Sequence, residues 1–211
     1  MTPSASTIAL MCLATTTLTG CLNLNKTYPE KRSYVLDVGT PQEATTSNST
    51  MVLKIGQFRV SPLFAGRAMV YRTADLQYES DFYNEWFVTP RSLVTQQLHN
   101  WLTQSGTFQV VILGTNHIEP THLLEGTVTE FYGDFRGSPR AILGIELHLL
   151  DGQNERQLLL RRTYHQDVPL TDRSSDALAH GLTEALRTVL VAVTKDIGDL
   201  ATTRTRRVPG P

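Results

Sequence analysis

The chain has 211 residues, 40% of them hydrophobic, with 19 Lys plus Arg set against 20 Asp plus Glu. That length suits one ordinary domain with extensions, and the apolar content excludes wholesale disorder. A net charge of −1 supplies no basic face for phosphates, so nucleic acid is excluded as a general partner.

No charged side chain precedes Lys26, and the first 20 residues hold the short apolar run Ile8, Ala9, Leu10, Met11, Cys12, Leu13 and Ala14. A bilayer crossing needs about 20 apolar residues, so this run is too short to span. It has the length of a secretory apolar region, about 7–15 residues. Leu18, Thr19, Gly20 and Cys21 follow directly. This resembles the lipobox of bacterial lipoproteins, whose cysteine thiol is diacylglycerylated before the peptide is cut and the new amine acylated. The usual basic residues ahead of the apolar run are absent. On this resemblance residues 1–20 are a signal peptide, Cys21 is the lipid attachment site, and 21–33 are the acylated N-terminus and a polar tether. The alternative is that Met1 to Cys21 is a buried element of the fold. Cysteine usage supports the lipoprotein side, because Cys12 leaves with the signal and Cys21 alone remains, so no disulfide forms. Leu22 stands where Asp would retain an enterobacterial lipoprotein, and by the same resemblance this favours the outer membrane.

Residues 34–200 then read as one domain. Tyr34, Val35, Leu36 and Val38 predict a short strand, followed by a polar loop from Gly39 to Thr50. Met51 to Val60 predicts a strand ended by Ser61-Pro62. Met69 to Thr73 and Leu76 to Glu79 predict a hairpin around Ala74-Asp75. Thr89 is placed to cap a helix with Pro90 at its first position, and Leu93, Val94, Leu98, Trp101 and Leu102 repeat at helical spacing up to Gly106. Strands are predicted over Phe108–Leu113, Leu123–Tyr132, Ala141–Leu150 and Gln157–Gln166, the last two joined at Asp151-Gly152. Ile145, Leu147 and Leu149 alternate with Glu146 and His148, which gives that strand one buried and one wet face. From Ser174 or Ser175, Leu178, Leu182, Leu186, Val189, Val193, Ile197 and Leu200 step by four or three along one helix face. The fold class is therefore α+β, a mixed β-sheet with two helices packed on one face. Residues 201–211, with Arg204, Arg206 and Arg207, read as a disordered tail.

Catalytic signals are weak. The sequence contains no Gly-x-Ser-x-Gly elbow and no glycine-rich phosphate loop. His117 and His122 with Glu119 lack a third ligand at a useful spacing, so no metal is expected. Glu130, Asp134 and Glu146 are carboxylates that chance alone brings near one another among twenty acids. The chain reads as a non-enzyme without a cofactor.

The informative stretch is aromatic. Tyr78, Asp81, Phe82, Tyr83, Trp86 and Phe87 crowd the segment before the first helix. They either fill the space between sheet and helix or present an exposed anchor of the Tyr- and Trp-rich kind found at interfaces.

From Tyr34-Val35-Leu36 onward the chain resembles the ABC-type transport auxiliary lipoproteins, the PqiC- and YmbA-like group. The resemblance runs through Leu53-Lys54-Ile55 and Val60-Ser61-Pro62, and is most specific at Gly66-Arg67-Ala68-Met69-Val70-Tyr71-Arg72. Tyr83-Asn84-Glu85-Trp86 and the helix from Pro90 to Leu102, closing in Ser105-Gly106-Thr107-Phe108, extend it. The resemblance implies a fold like the N-terminal domain of TolB. It implies an outer-membrane lipoprotein, often oligomeric, that docks an MCE-type periplasmic protein working with an ABC permease and ATPase on lipids or other apolar compounds. Tyr78, Tyr83, Trp86 and Phe87 are then the expected partner-facing residues. An envelope lipoprotein regulating a cell-wall synthase is the alternative, although its tether would be longer than Leu22 to Ser33.

Overall fold

The computed structural model describes residues 30–42, 50–114 and 117–205. The stretch expected to be a signal peptide, Cys21, most of the expected tether and the end of the expected tail lie outside the described residues. Within the unit from Lys31 onward the order is β1 (Arg32–Tyr34), β2 (Val52–Val60), a 3-10 turn (Pro62–Phe64), β3 (Ala68–Ala74), β4 (Gln77–Trp86) and α1 (Pro90–Gln104). Then come β5 (Val110–Leu113), β6 (His122–Asp134), β7 (Arg140–Asp151), β8 (Leu158–Pro169) and α2 (Ser175–Thr205).

All the described strands join one mixed sheet, and β6 is its hub. Along one edge β6 pairs antiparallel with β7 from His122↔Asp151 to Asp134↔Arg140, and β7 pairs antiparallel with β8. Its other edge is shared: β2 runs parallel to it from Leu53↔His122 to Val60↔Val128, and β3 takes over at Tyr71↔Gly133. Two flanking arms extend from there, β5 beside β2 and β4 with β1 beside β3. The alternation read in β7 holds. Ile145, Leu147 and Leu149 are buried, while Glu146 meets Arg161 and His148 on the wet face.

Both helices lie on the buried face and touch each other, with Trp101 Nε1 donating to Thr194 Oγ1 at 3.1 Å. Thr89 caps α1 by accepting from the Ser92 amide, Pro90 opens it, and Gly106 follows its end with φ of 68°, the left-handed conformation in which glycine carries no steric penalty. Leu178, Leu182, Leu186, Val189, Val193 and Ile197 are buried as their spacing predicts. Ala185 and Leu190 are fully buried too, so the apolar face of α2 is wider than one stripe. The helix runs to Thr205, five residues into the stretch read as tail. No helix among the described residues is long and apolar enough to cross a membrane.

The reason for the wider face is a strap. Only Arg32–Tyr34 pairs in the sheet, so the strand predicted through Val38 stops early. Leu36 and Val38 leave the sheet and bury against the helices. Their backbone is satisfied by side chains: Gln97 donates to the Leu36 carbonyl at 2.7 Å and accepts from the Val38 amide, and Arg187 Nε donates to the Val38 carbonyl at 2.8 Å.

Close approach of α2 to the sheet depends on Gly181. A Cβ there would fall on Leu170 Cδ2 and 2.8 Å from Ala141 Cβ. Gly181→Val is expected to destabilise by about 2 kcal/mol, because overpacking against a strand outweighs the few tenths gained in helix propensity. Urea unfolding checks this, and an unchanged midpoint would mean that the helix moves off the sheet freely.

Candidate docking edge

The predicted hairpin between β3 and β4 forms one residue later than expected, with Asp75 and Leu76 between Ala74↔Gln77. Its second strand does not end at Glu79. Pairing proceeds through Val70↔Ser80 and resumes only at Ala68↔Glu85. Met69 thus faces four residues, Asp81, Phe82, Tyr83 and Asn84, and β4 bulges outward there.

Asp81 holds the bulge. One carboxylate oxygen accepts the backbone amides of Tyr83 and Asn84 at 2.8 and 2.9 Å. The other accepts Asn84 Nδ2 at 2.9 Å and the Tyr71 hydroxyl at 3.0 Å. The Tyr71 hydroxyl also lies 2.9 Å from Ser175 Oγ, so the bulge is tied to the first residue of α2. Partial burial pushes the Asp81 carboxyl up, but the donors from Asn84, Tyr83 and Tyr71 outweigh it and hold the group below the ordinary carboxylate range. Burial pushes the Tyr71 hydroxyl far above its ordinary value, so it stays a neutral donor.

This assigns a pH signature. A depressed folded-state pKa contributes stability that is complete above the unfolded value and vanishes as pH falls through the folded one. Asp81→Ala is expected to cost about 1 kcal/mol at pH 7, the low end for such bonds because the carboxylate is half open to water. The gap between parent and variant should hold down to about pH 5 and close below about pH 4. Urea midpoints across that range test it, and a gap that closes above pH 5 would remove Asp81 as the holder.

The bulge and the strand end present an apolar edge. Phe82 is 70% exposed, Phe87 64%, Val35 58%, and Tyr83 and Val88 just over a third. Phe82 and Tyr83 meet edge to face with centroids 5.1 Å apart, and Lys31 Nζ lies 4.8 Å from the Phe82 centroid. β1 borders this edge in parallel, with Arg32↔Asn84 and Tyr34↔Trp86, and the Phe87 amide donates to the Tyr34 carbonyl.

The four expected partner-facing residues therefore separate. Tyr83 and Phe87 are at the surface. Tyr78 is half-buried, edge-on to Phe64 and Tyr132 with the Arg72 guanidinium over its ring. Trp86 is corrected: it is 1% exposed and packs edge-to-face on Phe131 at 5.2 Å. Its backbone is pinned to Arg67 on both sides, the Trp86 amide donating to the Arg67 carbonyl and Arg67 Nε to the Trp86 carbonyl. With that backbone fixed, the ring enters the core and its neighbour Phe87 stays outside.

The other candidates do not gather. Glu146 pairs with Arg161, whose hydrogen bond lowers its pKa, Asp134 pairs with Arg136, and Glu130 Oε2 lies 2.8 Å from His165 Nδ1. His122 Nδ1 lies 2.8 Å from Thr121 Oγ1, and among the described residues no three His, Cys, Asp or Glu side chains assemble a metal site.

The family model of the ABC-type transport auxiliary lipoprotein component matches residues 34–194, from the end of β1 deep into α2. The chain belongs to that family. Two solved structures resemble this auxiliary lipoprotein in fold. Protein XCC0632 from Xanthomonas campestris superposes with a TM-score of 0.74 at 14% identity, over 83% of this chain and 99% of that one. A crystal structure of an uncharacterized protein superposes with a TM-score of 0.62 at 21% identity, over 80% and 99%. No curated protein matches the sequence. Membership makes the chain an accessory of ABC-type transport held at a membrane of the envelope. Val35 and Val88 were not among the residues expected at its surface, and Phe82 belonged to the aromatic cluster but not to the four expected partner-facing residues. Period-two alternation around a buried Trp86 would have pointed to Phe87, whereas Val88 lies past the strand end and Phe82 depends on a bulge that no local pattern encodes.

Proposed function

We propose that this auxiliary lipoprotein is attached through acyl chains on Cys21 to the periplasmic face of the outer membrane. There it docks an MCE-type periplasmic protein that works with an ABC permease and ATPase to move lipids or other apolar compounds. The observation that carries this reading is the family match across nearly the whole folded domain. Leu22 after the lipobox supports the outer membrane, and the exposed aromatic edge supports a docking role without catalysis. Tyr83 and Phe87, with Val35 and Val88 beside them, form the partner face, while Tyr78 packs on Phe64 and Tyr132. A second copy of the chain takes part in the assembly.

Mild crosslinking of the tagged protein in membranes, detergent extraction and quantitative mass spectrometry test the proposal. The MCE-type protein and its permease should be enriched with the parent. Phe87→Ser should lower their recovery about tenfold, the loss of an interface anchor of about 1.4 kcal/mol or more. Enrichment of a cell-wall synthase in their place would overturn the transport role. Unchanged recovery with Phe87→Ser would move the partner face elsewhere.

A further inference from the structure

Phe82, whose ring meets Tyr83, differs from Phe87 in its place along β1. β1 and β4 run parallel, so the chain arriving from Cys21 enters the sheet at Arg32, opposite Asn84, and Lys31 lies against the Phe82 ring. Phe87 lies at the other end of the pairing, beside Tyr34. The most exposed ring of the edge is thus the one beside Lys31, where the chain enters the sheet.

We infer that the Phe82 tip of the β4 bulge rests on the lipid–water interface beside the acyl anchor and orients the domain there. The inference rests on the acyl anchor proposed at Cys21. Ten residues separate Cys21 from Lys31, so full extension keeps the tip within about 35 Å of the anchored end. A tether that short holds the tip near the bilayer at an effective concentration of about a millimolar. At that concentration the phenyl ring, of a kind that seats at the headgroup–acyl boundary, supplies part of the attraction needed, and Lys31 against it with Arg32 supplies the rest at an anionic surface. The backbone suits the place too, since the Tyr83 and Asn84 amides are already satisfied by Asp81 and bring no orphaned donors to the interface. Charge does not oppose it. Asp81 is ringed by donors, Glu85 is paired with Arg67 at 2.6 Å, and Lys31 with Arg32 outweighs Glu30.

The test uses the full processed protein in vesicles of phosphatidylcholine and phosphatidylglycerol, with and without brominated acyl chains. Trp86 and Trp101, the two native tryptophans, are buried and give the background. Phe82→Trp should add blue-shifted emission that bromolipid quenches roughly twofold. Val191→Trp, on an exposed position of α2, should add emission that only an aqueous quencher reaches. Water-exposed emission from Phe82→Trp overturns the inference. So does blue-shifted emission that bromolipid leaves intact, which would place protein on the ring, or equal lipid quenching of both variants, which would mean no preferred orientation. The mass of the N-terminal peptide reports the anchor separately. If Cys21 carries no acyl group, that reading fails and the inference falls with it, whereas an acylated protein with water-exposed Phe82→Trp emission overturns the inference alone.

Discussion

Trp86→Ala is expected to lower the unfolding free energy by about 3–5 kcal/mol, the range for deleting a buried indole from a packed core. The side chain is almost fully enclosed and contacts Phe131, a residue of the hub strand β6. The backbone bonds to Arg67 survive the substitution, so the cavity and the lost contacts account for the whole effect. For a domain of this size each kcal/mol moves the melting temperature by about 2–4 °C, so calorimetry should show a drop of roughly 6–20 °C. The adjacent Phe87→Ala should stay within about 0.5 kcal/mol of the parent, because its ring already faces water. Two neighbouring aromatics then give opposite signatures, one in melting temperature and one in partner capture. A shift below about 2 °C for Trp86→Ala would overturn the division of the edge into core and surface.

That contrast shows where local pattern stops informing. Burial along α2 was legible from Leu178 to Ile197 because a helix repeats its face every three or four residues and the core selects for that period. The alternation of Ile145, Leu147 and Leu149 with Glu146 and His148 was legible for the same reason at period two. The cap and stop of α1 were readable at Thr89, Pro90 and Gly106, since capping chemistry is encoded within a turn of the helix end. The bulge was not readable. It requires the Tyr71 hydroxyl to bridge Asp81 and Ser175, which lie 10 and 104 residues from it in the chain. The strap was hidden likewise, because Leu36 and Val38 look like a strand until Gln97 and Arg187 supply the partners that a neighbouring strand would have supplied. Family membership was legible in motifs such as Gly66 to Arg72, but which residues stand exposed along the aromatic edge is fixed by long-range contacts. Counting aromatics therefore selected a segment in which Phe82, Tyr83 and Phe87 are exposed and Trp86 is buried.

Cys21→Ser is expected to move the protein from the membrane pellet into the soluble or unprocessed fraction. The chemistry is direct: serine offers no thiol to the diacylglyceryl donor, and without that step the peptide is not cut ahead of residue 21. Each buried methylene contributes about 0.8 kcal/mol, and a lone fourteen-carbon chain holds only marginally, so lasting attachment needs two or more chains. Phe82 does not replace them, since one aromatic ring at the interface contributes about 2 kcal/mol and acts only while the tether keeps it close. The two membrane contacts thus have separate readouts. Cys21→Ser should abolish acylation and processing and so shift the mass of the N-terminal peptide, whereas Phe82→Ser should leave both unchanged and alter only how the domain sits. Fractionation with intact-peptide mass spectrometry measures this, and a Cys21→Ser protein that is still processed and still pellets would remove the lipobox reading and the orientation argument built on it.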